Sequence, residues 1–226
     1  MPSDLSFDPD THQYTLDGRV VESVTQRIQQ AGLLGSASTW YTPEAAARGT
    51  AVHLACEHWD IGARVDICAE WNGYIQSYQS WSRAMSPMWT SVEQPYYNAE
   101  LDLAGTPDRI GLIAGQDVVL DIKSGPPHQA HGVQLALYDL LRPLQRRRRR
   151  LGLYLRVGGQ LARMVPYLLS TDYVIALALC NQQNKETHDQ ADRTSEDRDR
   201  GPRPRARTRR PDGRARPARR PHHRHK

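Results

Sequence analysis

Hydrophobic and polar positions change period several times along the chain, and the changes divide it into elements. Two short alternating runs, Leu5–Asp8 and Gln13–Leu16, flank DPDTH and predict a small hairpin, with Asp17-Gly18 as the next turn. Ser23 or Thr25 can cap a helix that runs to Gly32. Thr42-Pro43-Glu44 offers a cap hydroxyl, a proline at the first helical position and an acid in the first turn. The helical pattern that follows is interrupted at Gly49 and resumes from Thr50 to about Ile61, and a further helix is expected over residues 69–84.

The period then shortens. Residues 92–97, 101–105, 107–113 and 117–123 read as short strands separated by turn residues. A helix is predicted over 131–141, a hairpin with arms 151–157 and 161–168 around Gly158-Gly159, and a last helix over 171–181. Helices followed by a strand meander, a helix, a hairpin and a helix predict a mixed α/β domain with helices packed on a central sheet. Trp71, Tyr74, Tyr78 and Trp81 recur at helical spacing and read as a packing stripe in preference to a base-stacking platform.

Composition limits the function classes. With 226 residues, 38% of them hydrophobic, the chain can bury a core of ordinary size. No apolar run approaches the roughly 20 residues of a membrane span, and the first residues carry neither a basic nor an apolar signal region. Three cysteines, Cys56, Cys68 and Cys180, are too few for a four-cysteine zinc or iron–sulfur site and fit a reducing cytosol.

The net charge of +5 is unevenly distributed. Residues 186–226 hold 13 Arg and 1 Lys against 7 acids, a charge of +7, so the remaining residues carry −2. Nothing larger than Ala among aliphatic or aromatic side chains occurs from about Asp189 onward, which predicts a disordered Arg/Pro-rich tail after a folded domain of residues 1–185. The tail is read as a solvated terminus or as a non-specific polyanion contact, and its histidines have no scaffold to orient a metal.

The chemistry concentrates in AGTPDRIGLIAGQDVVLDIKSG. Strand alternation puts Val119, Asp121 and Lys123 on one face and Val118, Leu120 and Ile122 on the other. With Ala114-Gly115-Gln116 as the turn, Ile113 faces Asp117, and Asp108 faces Ile122 or lies within one residue of it. Asp108 and Asp121 are then close enough to share a hard divalent cation, with Lys123 beside it. A surface salt-bridge cluster is the alternative. His53 and Glu57, and Gln134 and Tyr138, are i, i+4 pairs that also suit ordinary amphipathic helices.

Taken in order, GTAVH, GTPD, VVLDIKSG and a helix with Q-x-x-x-Y resemble the RecB-like branch of the PD-(D/E)XK nuclease superfamily, in its phage-type exonuclease form, over roughly residues 14–181. The resemblance implies an α/β, restriction-endonuclease-like core with a mixed central sheet flanked by helices. It implies a metal-dependent deoxyribonuclease, an exonuclease acting in recombination, repair or phage replication, in the cytoplasm of a bacterial or phage-infected cell. By the same resemblance His53, Asp108, Asp121 and the backbone carbonyl of Ile122 are metal ligands for Mg²⁺ or Mn²⁺. Lys123 orients or deprotonates the attacking water and offsets phosphate charge. Gln134 and Tyr138 position DNA and the metal shell, and Glu57 is a ligand, a supporting residue or plain surface. The implied partner is DNA, without membrane, with homo-oligomerisation or a recombination protein as further candidates. No iron–sulfur cluster is expected.

The run Arg146, Arg147, Arg148, Arg149, Arg150 reads either as a solvated loop or as a phosphate clamp beside the active site. Two rival functions are a non-catalytic DNA-binding module of the same fold and a basic-tail interaction protein whose body is a scaffold.

Overall fold

A computed structural model describes residues 4–9, 11–34, 42–142 and 147–181. The expected tail, residues 186–226, and Arg146 lie outside the described residues. The first sheet is an antiparallel meander of β1 (Leu5–Asp8), β2 (Gln13–Leu16) and β3 (Arg19–Val21). Positive φ at both Asp17 (50°) and Gly18 (80°) makes the tight turn between the last two strands. Helix α1 (Val24–Gln30) starts in a capping box: Ser23 accepts from the Gln26 amide, and the Gln26 side chain accepts from the Ser23 amide.

Helix α2 (Pro43–Asp60) is capped by the Thr42 hydroxyl. It runs through Gly49 without the expected break. Buried Val52, Ala55 and Cys56 hold the helix on the core, and that packing outweighs the roughly 1 kcal/mol a helical glycine costs. After a 3-10 turn (Ala69–Trp71) comes α3 (Asn72–Met85), which ends where Ser86 turns left-handed at φ 44°.

The strand expected over 92–97 is two strands in different sheets, β4 (Met88–Val92) and β5 (Tyr96–Asn98). Glu93, with φ 45°, turns the chain out of the extended region, and Pro95 has no amide for a ladder. β5 pairs with β6 (Leu103–Gly105). The central sheet contains β7 (Arg109–Ile113), β8 (Gln116–Lys123), β9 (Arg149–Tyr154) and β10 (Arg163–Pro166), in the order β10-β9-β8-β7-β4. Only β8 and β9 run parallel in it, and α4 (Ala130–Leu141) lies in the connection between them. A last helix, α5, spans 171–181.

Both faces of this sheet are covered. Val119 and Ile110 pack with α1, α4 and α5 through Val24, Ile28, Leu137 and Ala176. Val118, Leu120 and Ile122 pack with α2 and α3 through Val52, Cys56, Ile75 and Trp81. The protein is therefore a mixed α/β fold with a five-stranded mixed sheet flanked by helices. Tyr78 and Trp81 of the aromatic stripe are core residues, 0% and 2% exposed. Among the described residues no helix is long and apolar enough to cross a membrane.

Candidate functional site

The C-terminal end of β8 is where the two helical layers meet. The β7–β8 turn is shorter than the sequence suggests: Ala114 and Gly115, both at positive φ, form a two-residue turn, and Ile113 pairs with Gln116. Arg109 therefore pairs with Leu120. One further step along that register sets Asp108 against Asp121, within the one-residue latitude of the expectation. The Asp108 carboxylate also accepts the Ile122 amide at 2.5 Å, which ties it to β8.

His53 enters from α2. Its Nε2 lies 2.9 Å from the Ile122 carbonyl oxygen, and its Nδ1 lies 3.5 Å from Asp108 and 3.6 Å from Glu93. Ligand atoms of His53, Glu93 and Asp108 all fall within 4.8 Å of one another. The Asp121 carboxylate is 1% exposed by residue and has the Lys123 ammonium 2.7 Å away. From α4, the Gln134 amide donates to the Tyr138 hydroxyl at 3.3 Å. Burial raises the Tyr138 phenol well above its usual range, and the negative charges of Asp121 and Asp108 add to the effect. Five of the expected groups are thus assembled around one strand end, with the Q-x-x-x-Y pair facing their charge.

Glu93 had no place in the sequence expectation. It is held by Arg109, a fully buried guanidinium that donates to Glu93 at 2.9 Å, to Asp60 at 2.6 Å and to the Asp108 carbonyl at 2.6 Å. Tyr78 donates to the same Asp60 carboxylate at 2.6 Å. Part of this was available in the sequence. Arg109 follows Asp108 on a strand and so faces the other way, toward α2, where Asp60 stands two helical turns beyond His53. The left-handed backbone of Glu93 itself carries no comparable signal in the sequence; its amide donates to the Asp108 carbonyl at 3.0 Å.

The electrostatics are those of carboxylates short of cations. Burial raises the pKa of Asp108, with Glu93 adding to the effect and His53 and Lys123 opposing it. Burial likewise raises Asp121, against the lowering influence of Lys123. Burial alone would depress His53, but the Asp108 and Glu93 charges more than offset it and bring the imidazole up to about 9. At neutral pH a proton on His53 therefore supplies the positive charge these acids require.

Two expected contributors lie elsewhere. Glu57 is half-buried on α2 and belongs to no cluster of ligand atoms with His53 among the described residues. The described arginines of the run, residues 147–150, lead into β9 and are not beside the site. Arg149 pairs with Val118, five residues before Lys123 on the parallel neighbour, or about 16 Å along the strand. Arg148 is buried against Asp139 at 2.9 Å, and Arg150 against Asp172 at 2.7 Å. Arg147 stacks over Tyr173 at 3.7 Å. Strand alternation, not solvation, governs the segment.

No protein-family model and no curated protein sequence matches this chain.

Proposed function

We propose that the protein is a divalent-metal-dependent deoxyribonuclease built on a restriction-endonuclease-like core, and that it hydrolyses DNA phosphodiesters from an end. The observation that carries this reading is the convergence of His53, Glu93 and Asp108 within 4.8 Å, beside the ion-paired Asp121 and Lys123. The donor set fits a hard divalent cation: two carboxylates, Glu93 and the buried Asp108, and the His53 imidazole lie within 4.8 Å of one another, while Asp121 stands outside that group and pairs with Lys123. His53, Glu93 and Asp108 would hold it, with Asp121 and the Ile122 carbonyl beside them on β8.

When bound, such an ion supplies Lewis acidity and positive charge opposite the phosphate. The protein's own groups do the rest. The Ile122 amide fixes the Asp108 carboxylate, and Arg109 fixes Glu93. Lys123, on the strand face of Asp121, orients the attacking water by donating to it as an ammonium and offsets charge on the phosphoryl oxygens. The buried Tyr138 hydroxyl accepts from the half-buried Gln134 amide and so orients Gln134, whose amide is the group of the pair offered to the DNA backbone. The β7–β8 hairpin, the α4 crossover and the parallel β9 support the fold assignment.

End-labelled linear DNA and closed circular DNA, each incubated with Mg²⁺, Mn²⁺ or EDTA, test the proposal. Loss of label from linear DNA only, and only with metal, is expected. Cleavage in EDTA, or none with either metal, would exclude it. Equal attack on the circle would exclude the requirement for an end.

A further inference from the structure

A shallow, solvent-open depression of about 480 Å³ lies immediately beyond Lys123. One wall is the loop Ser124-Gly125-Pro126, another is the turn of Arg156, Val157 and Gly158, and Tyr74 of α3 closes the side. No carboxylate lines it. Two arginines border it. Arg156 is exposed on the turn, and half-buried Arg48 donates to the Ser124 hydroxyl at 3.5 Å while its guanidinium lies 5.8 Å from the centre of the Tyr74 ring.

The walls are tied in place. A Cβ on Gly73 would sit 1.7 Å from the Val157 carbonyl oxygen, so only glycine allows α3 to start against this turn and present Tyr74 to the depression. The Arg156 amide donates to the Ser77 hydroxyl at 3.1 Å, and the Leu155 amide donates to the Lys123 carbonyl at 2.9 Å. The second bond couples the floor of the depression to the strand end that carries the site. A positively charged groove with an aromatic face is the device that binds single-stranded nucleic acid, the base on the ring and the backbone on the cations.

We infer that this depression is a subsite for one unstacked nucleotide of a single DNA strand, with Tyr74 against the base and Arg48 and Arg156 on the flanking phosphates. The subsite deepens the nuclease reading and rests on it for its role: it holds the strand next to the phosphate presented to Lys123. Single-strand capture beside the site gives a role to two arginines and a half-buried aromatic ring that meet at a loop lined by no carboxylate among the described residues.

Polarisation of a fluorescent oligothymidylate, titrated in EDTA with the full-length chain, tests it. Tyr74→Ala and Arg156→Ala should each weaken binding at least about fivefold, the low end of what one lost base stack costs. Tyr74→Phe, which keeps the ring, should bind like wild type. A blunt hairpin duplex should be insensitive to Tyr74→Ala. Wild-type affinity in Arg156→Ala, an exposed position whose folding is not in question, would overturn the subsite, as would equal losses for duplex and single strand. If the variants lose oligothymidylate but the wild type cleaves no DNA with Mg²⁺ or Mn²⁺, the subsite stands and the nuclease reading falls. If cleavage is robust and both variants bind normally, the reverse holds.

Discussion

Lys123 separates chemistry from architecture at the scale of single residues. Its ammonium sits 2.7 Å from a buried carboxylate. If it serves the water and the phosphate, Lys123→Met should lower single-turnover cleavage by orders of magnitude while DNA affinity in Ca²⁺ falls only modestly. Lys123→Arg should not restore the rate, because a guanidinium holds its charge in a different place and does not yield a proton. Because the Asp121 partner is buried, Lys123→Met also leaves an uncompensated charge and lowers stability, so melting is measured alongside; unchanged cleavage in both variants would reduce Lys123 to charge balance. The same cluster makes stability depend on pH. His53 titrates near 9 in the folded chain against 6.5 when unperturbed, so its contribution is full below 6.5 and is lost as pH rises through about 9. Asp108 and Asp121, raised by burial, have the same sign at lower pH. The melting temperature of the metal-free protein should therefore fall between pH 6.5 and 9 by an amount equivalent to about 2–3 kcal/mol. Thermal scans across that window check it. Asp108→Asn should flatten the decline, and a flat wild-type profile would contradict the assignment of His53.

Individual elements show why arginine-rich sequence is a poor guide to surface. Residues 146–150 look solvated by composition, yet Arg150 enters β9 facing inward and pairs with Asp172, while Arg149 points out. Removing one partner of a buried pair leaves an uncompensated charge and costs about 3–5 kcal/mol. Arg150→Ala should destabilise by that order and Arg149→Ala by less than about 0.5 kcal/mol, as read from denaturant midpoints. Equal effects would mean the alternation is misassigned. The β7–β8 hairpin was legible in the sequence because period-2 alternation and an Ala-Gly turn both constrain it, so Asp108, Asp121 and Lys123 converge to within one residue of the expected register. His53 was legible only through the resemblance of GTAVH, since an i, i+4 His/Glu pair by itself suits an ordinary amphipathic helix. Glu93 was not, because its inward turn depends on a left-handed backbone after β4 and on Arg109 reaching across from β7. Gly49 misled for a related reason: tertiary packing at Val52 and Cys56, which no local pattern reports, carries α2 through it.

For the whole molecule, charge and catalysis are divided along the chain. The first 185 residues carry −2 and the rest +7. Truncation after Lys185 should leave melting and cleavage chemistry intact and should reduce the salt dependence of DNA binding, since counterion release scales with the phosphates neutralised. An unchanged salt slope would show that the tail does not touch DNA. The decisive question is whether the strand-end cluster itself cleaves. Single-turnover degradation of end-labelled linear DNA in Mn²⁺ should be compared for wild type and Asp108→Asn, with both shown to fold by thermal melting. Asp108→Asn keeps the shape of the carboxylate and removes its charge. The expected result is metal-dependent cleavage by wild type and a loss of at least about a hundredfold in Asp108→Asn, or about 2.7 kcal/mol of barrier, with a metal-free melting temperature that is level or higher. Cleavage by Asp108→Asn at the wild-type rate would contradict the assignment of this cluster as the active site.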